Sequence, residues 1–89
     1  MKTEQELIEL ANKEGWEYIS YNEKLSESFI EKYIDELDIY IISAYQKLSE
    51  LFIESHINKL DIDLISKYQK LSESFIEKHF DKLNIMSIS

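Results

Sequence analysis

The sequence predicts an all-α chain: an α-solenoid-like stack of short helix pairs. Three observations predict it. A 23-residue unit recurs without gaps, each unit carries two helix-start signatures, and no stretch shows the sustained alternation of a strand. The units are 22–44 (NEKLSESFIEKYIDELDIYIISA), 45–67 (YQKLSELFIESHINKLDIDLISK) and 68–89 (YQKLSESFIEKHFDKLNIMSIS). The second and third agree at 15 of 22 aligned positions. All 89 residues are read as one domain, because a single helix pair cannot bury its apolar face and stacked copies can.

The elements follow in order. Residues 1–14 form an N-terminal capping helix: Thr3 caps it, Glu6 closes a capping box, and Gly15, the single glycine, stops it. In that helix Leu7, Ile8 and Ala11 are expected to pack inward while Glu4, Glu6 and Glu9 face water. Residues 15–21 are a partial repeat, with Trp16–Ser20 aligning with Ile39–Ser43. Each full unit then has two halves. One is Leu-Ser-Glu-x-Phe-Ile (Leu25–Ile30, Leu48–Ile53, Leu71–Ile76) and the other Leu-Asp/Asn-Ile-x-x-Ile (Leu37–Ile42, Leu60–Ile65, Leu83–Ile88). The Ser, Asp or Asn is the N-cap, whose oxygen takes a free backbone N–H. The leucine before it and the isoleucine four positions into the helix form a hydrophobic staple.

Caps alternate every 11 and 12 residues, so every helix is expected to run two to three turns. The Leu-Ser-Glu helix is expected to be the longer of each pair. In the third unit Phe75, Ile76, His79, Phe80 and Leu83 would share its apolar face. In the shorter helix Ile62, Ile65 and Tyr68 recur at helical spacing. The last such helix begins at Ile85, Met86 and Ile88 with no evident polar cap, and these three residues are the expected contact of a homodimer.

The pattern Ile-Ser-x-Tyr-Gln-Lys-Leu-Ser-Glu-x-Phe-Ile (Ile42–Ile53 and Ile65–Ile76) resembles a short repeat found in hypothetical proteins of phages, mobile elements and giant viruses. A tryptophan often stands in those repeats where Ile39 and Ile62 stand here, and Trp16 keeps it. The resemblance spans Trp16–Ser89. It implies a helical repeat scaffold of phage or mobile-element origin, and no shared catalytic or ligand-binding residue.

Composition narrows function by exclusion. The net charge is −8, with ten lysines and no arginine. Arginine is the usual bidentate ligand of phosphates and guanine edges, and an acidic chain repels the phosphate backbone, so direct nucleic-acid binding is not expected. The charge is uneven: residues 1–45 carry 11 acids and 4 lysines, residues 46–89 carry 7 and 6. There is no cysteine, so there is no thiolate site. The start, MKTEQELIEL, lacks an apolar signal core, and no run is long enough to span a membrane; a cytoplasmic location is expected.

Candidate chemistry resolves mostly into structure. His56 and His79 share one repeat position, but Tyr33 fills it in the first unit, so an amphipathic ring at the core edge is expected there rather than a metal ligand. Ser26, Ser49 and Ser72 are caps. Ser20, Ser43 and Ser66 recur inside the shorter helix, where a small residue lets helices approach or bonds back to a carbonyl. No glycine-rich phosphate loop or Gly-x-Ser-x-Gly turn occurs, no cofactor is expected, and the chain reads as non-enzymatic.

One feature exceeds structural need. Glu27, Glu31 and Asp35 stand at i, i+4 and i+8; Glu73, Glu77 and Asp81 repeat this, and Glu50 and Glu54 repeat it with Asn58 third. Like charges at this spacing repel, and the helix dipole favours only the first rung. Stacked ladders would form a carboxylate field, the expected partner-binding surface. The expected function is that of an acidic protein-binding protein. It would be a phage or mobile-element inhibitor of a host nuclease-type defence complex, in anti-CRISPR or DNA-mimic style, acting on a basic nucleic-acid-binding partner. The alternative is a structural or self-assembling repeat scaffold. Neutralising Glu27, Glu31 and Asp35 together is expected to spare the fold, because repulsion is removed.

Overall fold

Seven helices and no strand make up residues 2–83, the residues described by the computed structural model. They are α1 (Glu4–Glu14), α2 (Trp16–Asn22), α3 (Glu27–Lys32), α4 (Ile39–Tyr45), α5 (Glu50–Ser55), α6 (Ile62–Tyr68) and α7 (Glu73–Lys78). Ile85, Met86 and Ile88, the expected homodimer contact, lie outside the described residues.

The local signals act where the sequence places them. Thr3 Oγ1 accepts from the Glu6 N–H while Glu6 accepts from the Thr3 N–H, closing the capping box of α1. Gly15 ends that helix at φ 104°, a conformation L side chains rarely adopt. Ser26, Ser49 and Ser72 cap α3, α5 and α7 through the N–H groups of Phe29, Phe52 and Phe75. Asp38 and Asp61 cap α4 and α6. The staples are buried too: Leu25 with Ile30, Leu37 with Ile42, Leu48 with Ile53, and Leu60 with Ile65.

One expectation needs correction. The Leu-Ser-Glu helices are not the longer ones: α3, α5 and α7 have six residues each, against seven in α4 and α6. Each stops at the ring position, Tyr33, His56 or His79. A turn follows in which the carbonyl of that residue accepts two N–H groups, as Tyr33 O does from Glu36 and Leu37. The turn returns the leucine to the core and sets the next cap against the preceding unit. Phe80 falls in this turn and is 55 % exposed, so it does not share the face of Phe75.

The first two units contribute matching side chains to the core, Leu25, Phe29, Ile30, Leu37 and Ile42, then Leu48, Phe52, Ile53, Leu60 and Ile65, whereas the third contributes Phe75 and Leu83 with Leu71 and Ile76 only half-buried. Ile19, Ile30, Ile42, Ile53 and Ile65 are fully buried, flanked by Phe29, Phe52 and Phe75. Helices α2, α4 and α6 pack in succession, and α1 packs on α2. Leu7 and Ala11 of α1 are buried and Ile8 packs against the core, while Glu4, Glu6 and Glu9 are exposed, as its pattern requires. The molecule measures 41 × 20 × 20 Å. No helix of the described residues is long and apolar enough to cross a membrane.

Candidate functional site

The junctions between units carry most of the polar chemistry. The recurrent serine of the shorter helix lies at their centre. Ser20 Oγ donates to the Trp16 carbonyl at 2.8 Å and accepts from the Asp38 N–H at 3.1 Å; Ser43 Oγ does the same with Ile39 and Asp61, at 2.7 and 3.0 Å. The back-bond expected of this serine is therefore one half of its role. The other half ties each unit to the cap of the next.

Gln46 and Gln69 do more, and sequence reasoning gave them no role. The Gln46 amide nitrogen donates to the carbonyls of Ser20 (2.9 Å) and Glu23 (2.7 Å), and its oxygen accepts from the Leu25 N–H at 3.1 Å. Gln69 repeats the arrangement on Ser43 O, Gln46 O and the Leu48 N–H. Only a carboxamide offers two donors and an acceptor at one point, which backbone of both polarities requires when water is excluded. A signal existed: two of the three glutamines stand at one register point, three residues before the capping serine.

The acidic ladder divides. Glu27 accepts from both the N–H (2.6 Å) and the hydroxyl (3.0 Å) of Ser49, and Glu50 takes the same groups of Ser72. These glutamates hold the cap of the following unit. Neutralising Glu27 with Glu31 and Asp35 would remove those bonds along with the repulsion, so the fold is not indifferent to that triple change. Glu31 lies 3.6 Å from His56 Nε2, and Asp35 lies 3.8 Å from Lys59. Glu54 pairs with Lys78 and lies 3.6 Å from His79 Nε2. Helix α1 supplies the matching rung at the other end: Glu4 accepts from Lys32 Nζ at 2.9 Å and from the Tyr33 hydroxyl at 3.1 Å. Glu73, Glu77 and Asp81 are exposed and have no hydrogen-bond or ion-pair partner among the described residues.

The hydrogen bond from Lys78 holds the Glu54 carboxyl below the usual carboxylate range, and the bonds from Lys32 and Tyr33 do the same for Glu4. A carboxyl that binds its proton less tightly when folded stabilises the fold above its unfolded pKa and loses that contribution as the pH falls through its folded one. The thermal midpoint of the wild type is therefore expected to fall on acidification below the ordinary carboxylate value. A Glu4→Gln, Glu54→Gln double variant should fall less steeply over that range, and equal slopes would refute the assignment.

The rings at the histidine position pack as expected. His56 stacks on Phe52 at 4.2 Å between centroids, with Nδ1 3.0 Å from the Phe52 carbonyl, and Tyr33 and His79 lie 4.7 Å from Phe29 and Phe75. Among the described residues, no three His, Asp or Glu side chains are grouped to hold a metal ion. A second surface feature went unread. Tyr21, Tyr45 and Tyr68 form an exposed row, with rings 4.8 and 6.2 Å apart. Tyrosine on a surface combines a large apolar face with a polar tip, a combination enriched where proteins meet.

No protein-family model matches this sequence, and no curated protein or solved structure matches it.

Proposed function

We propose that this chain is a non-enzymatic α-solenoid that binds a protein, and that its partner is a basic, nucleic-acid-handling protein. In this reading it acts as an inhibitor of a host nuclease-type defence complex, encoded by a phage or mobile element. The observation that carries the reading is the uncompensated charge of the third unit. Among the described residues Glu73, Glu77 and Asp81 stand exposed with no hydrogen-bond or ion-pair partner, on a chain of net charge −8, whereas their counterparts in the earlier units are largely occupied by the next unit. Such carboxylates can be offered to a basic channel without dismantling a junction. The exposed tyrosines supply apolar contact area that charge alone does not.

The test is affinity capture from lysate of the native host at low and at high salt, followed by displacement assays on the captured protein. A basic nucleic-acid-binding protein is expected, released as salt rises and displaced competitively by duplex DNA. A partner without a basic channel, or capture indifferent to salt, would overturn the reading. The chain itself is expected not to shift duplex DNA or RNA at physiological salt, because it has no arginine and repels phosphate. A mobility shift at micromolar protein would contradict this. The variant Glu73→Gln, Glu77→Gln, Asp81→Asn should melt within about 0.5 kcal/mol of wild type, the range for isolated surface changes. It should bind the captured partner more weakly and with less salt dependence.

A further inference from the structure

The helices α2, α4 and α6 present a surface unlike that of the acidic ladder. Five of the six tyrosines lie on them, Tyr18, Tyr21, Tyr40, Tyr45 and Tyr68, and all five are exposed. The sixth, Tyr33, is half-buried, and its hydroxyl donates to Glu4. Burial in the core therefore accounts for one tyrosine and leaves five rings in water, each with a large apolar face open to contact. The row itself shows what such a face accepts. At its far end Lys67 Nζ lies 5.4 Å from the Tyr68 centroid, within the roughly 6 Å over which the ring quadrupole attracts a cation.

At the near end the chain supplies no such cation. Tyr21 and Ala44 stand at the repeat position of Lys67, and α2 and α4 contain no lysine. Among the described residues no cation lies over Tyr18, Tyr21, Tyr40 or Tyr45. Tyr45 has a ring on either side, Tyr21 meets a ring only at Tyr45, and Tyr18 meets none among the described residues. Two carboxylates stand beside these free faces. Glu14, the last residue of α1, and Glu17, in the first turn of α2, join Tyr18, Tyr21, Asn22 and Ile41 around an open hollow of about 490 Å³. Both glutamates are exposed, and among the described residues neither has a hydrogen-bond or ion-pair partner.

The combination selects its occupant. Negative charge beside open ring faces attracts a cation and repels phosphate, which rules out a nucleic-acid strand stacking its bases on the tyrosines. A guanidinium matches the hollow better than an ammonium, because it is planar, stacks on a ring and forks to a carboxylate in the same pose. This chain has no arginine, so a second copy cannot supply one. We propose that the hollow between α1, α2 and α4 is a docking site for an arginine-bearing segment of a partner protein, with the guanidinium over Tyr18 or Tyr21 and its charge against Glu14 and Glu17. None of these residues belongs to the third-unit carboxylates, so the inference does not rest on them.

The probes are labelled tetra-arginine and tetra-lysine peptides, equal in charge, titrated into the intact protein. Anisotropy gives the affinities, and the tyrosine ring resonances in NMR give the place of binding. Tetra-arginine is expected to move the rings of Tyr18 and Tyr21 saturably and to bind about threefold or more tighter than tetra-lysine. Changing Tyr18 and Tyr21 together to leucine should bring the two affinities within about twofold of each other, since net charge alone does not distinguish the peptides. The single change Tyr21→Leu, at a ring 56 % exposed, should already lower the preference, which keeps the test intact if the double variant unfolds. Glu14→Gln with Glu17→Gln should weaken both peptides by about threefold or more and flatten the salt dependence. The Glu73→Gln, Glu77→Gln, Asp81→Asn protein should keep the arginine preference, so failure at this hollow and failure of the acidic-surface reading are seen separately. Equal affinity of the two peptides, a preference that survives loss of both rings, or still Tyr18 and Tyr21 resonances would each overturn the proposal. So would a dimer of the intact protein that covers these rings and is not displaced by tetra-arginine.

Discussion

Replacing Phe52 with alanine is expected to lower stability by about 3–5 kcal/mol, the range for truncating a buried aromatic ring. Phe52 is 7 % exposed and sits in the middle unit, with a neighbouring unit on each side, so neither side can collapse freely into the vacated space. Its ring also carries His56, stacked at 4.2 Å, which would lose its support. In a chain of this size each kcal/mol moves the thermal midpoint by about 4–8 °C, so the change should reach about 12 °C or more. The control is a phenylalanine at a different repeat position, aligned with Ile34 and Ile57. Phe80 is 55 % exposed in the turn after α7, and Phe80→Ala should change stability by no more than about 0.5 kcal/mol. Thermal denaturation of the two variants checks the assignment: a Phe52→Ala protein melting within a degree or two of wild type would mean that the core has been misplaced.

Replacing Gln46 with leucine, an apolar residue of similar size, should cost about 3 kcal/mol or more, although the position is 6 % exposed and hydrophobicity alone would favour the change. The reason is the company the side chain keeps. Leucine would leave the carbonyls of Ser20 and Glu23 and the N–H of Leu25 without partners at a junction that excludes water. Each orphaned group costs about 1–3 kcal/mol, and the losses add only in part because neighbouring backbone relaxes. Gln5→Leu is the matched control, since Gln5 is exposed and bonds only to Glu9 within its own helix. Denaturant unfolding distinguishes the cases: equal midpoints for Gln46→Leu and wild type would show that the junction is held by apolar packing alone.

Both predictions mark what could be read from the chain and what could not. Helix starts were legible because capping is local. Ser26, Ser49, Ser72, Asp38 and Asp61 each satisfy an N–H within three residues, so the sequence holds both partners of the bond. Helix ends were less legible. The stops at Tyr33, His56 and His79 serve a turn whose purpose is to place the following leucine and cap against another unit, and no local residue type announces that. Phe80 reads as part of the apolar face for this reason: helical spacing continues two residues beyond Lys78, where α7 ends.

The acidic ladder shows the same division. Its i, i+4, i+8 spacing is visible in the sequence, but only the first two rungs lie on a helix, because Asp35 and Asp81 fall in the turns after α3 and α7, and the compensation comes from the next unit. Glu27 meets Ser49 across 22 residues and Glu54 meets Lys78 across 24, separations at which sequence shows that partners recur without showing that they touch.

The sequence by itself determined the helical class, the unit length, the caps and the alternation of buried leucine, isoleucine and phenylalanine, because those follow from contacts within a few residues and from hydrophobic periodicity. Tertiary structure alone decided which carboxylates find partners among the described residues, where each Leu-Ser-Glu helix ends, and that a glutamine is the polar centre of every described junction. The physical reason is range. A hydrogen bond between units joins groups about one repeat apart, and whether a buried backbone carbonyl needs a donor depends on the neighbour that excludes water from it.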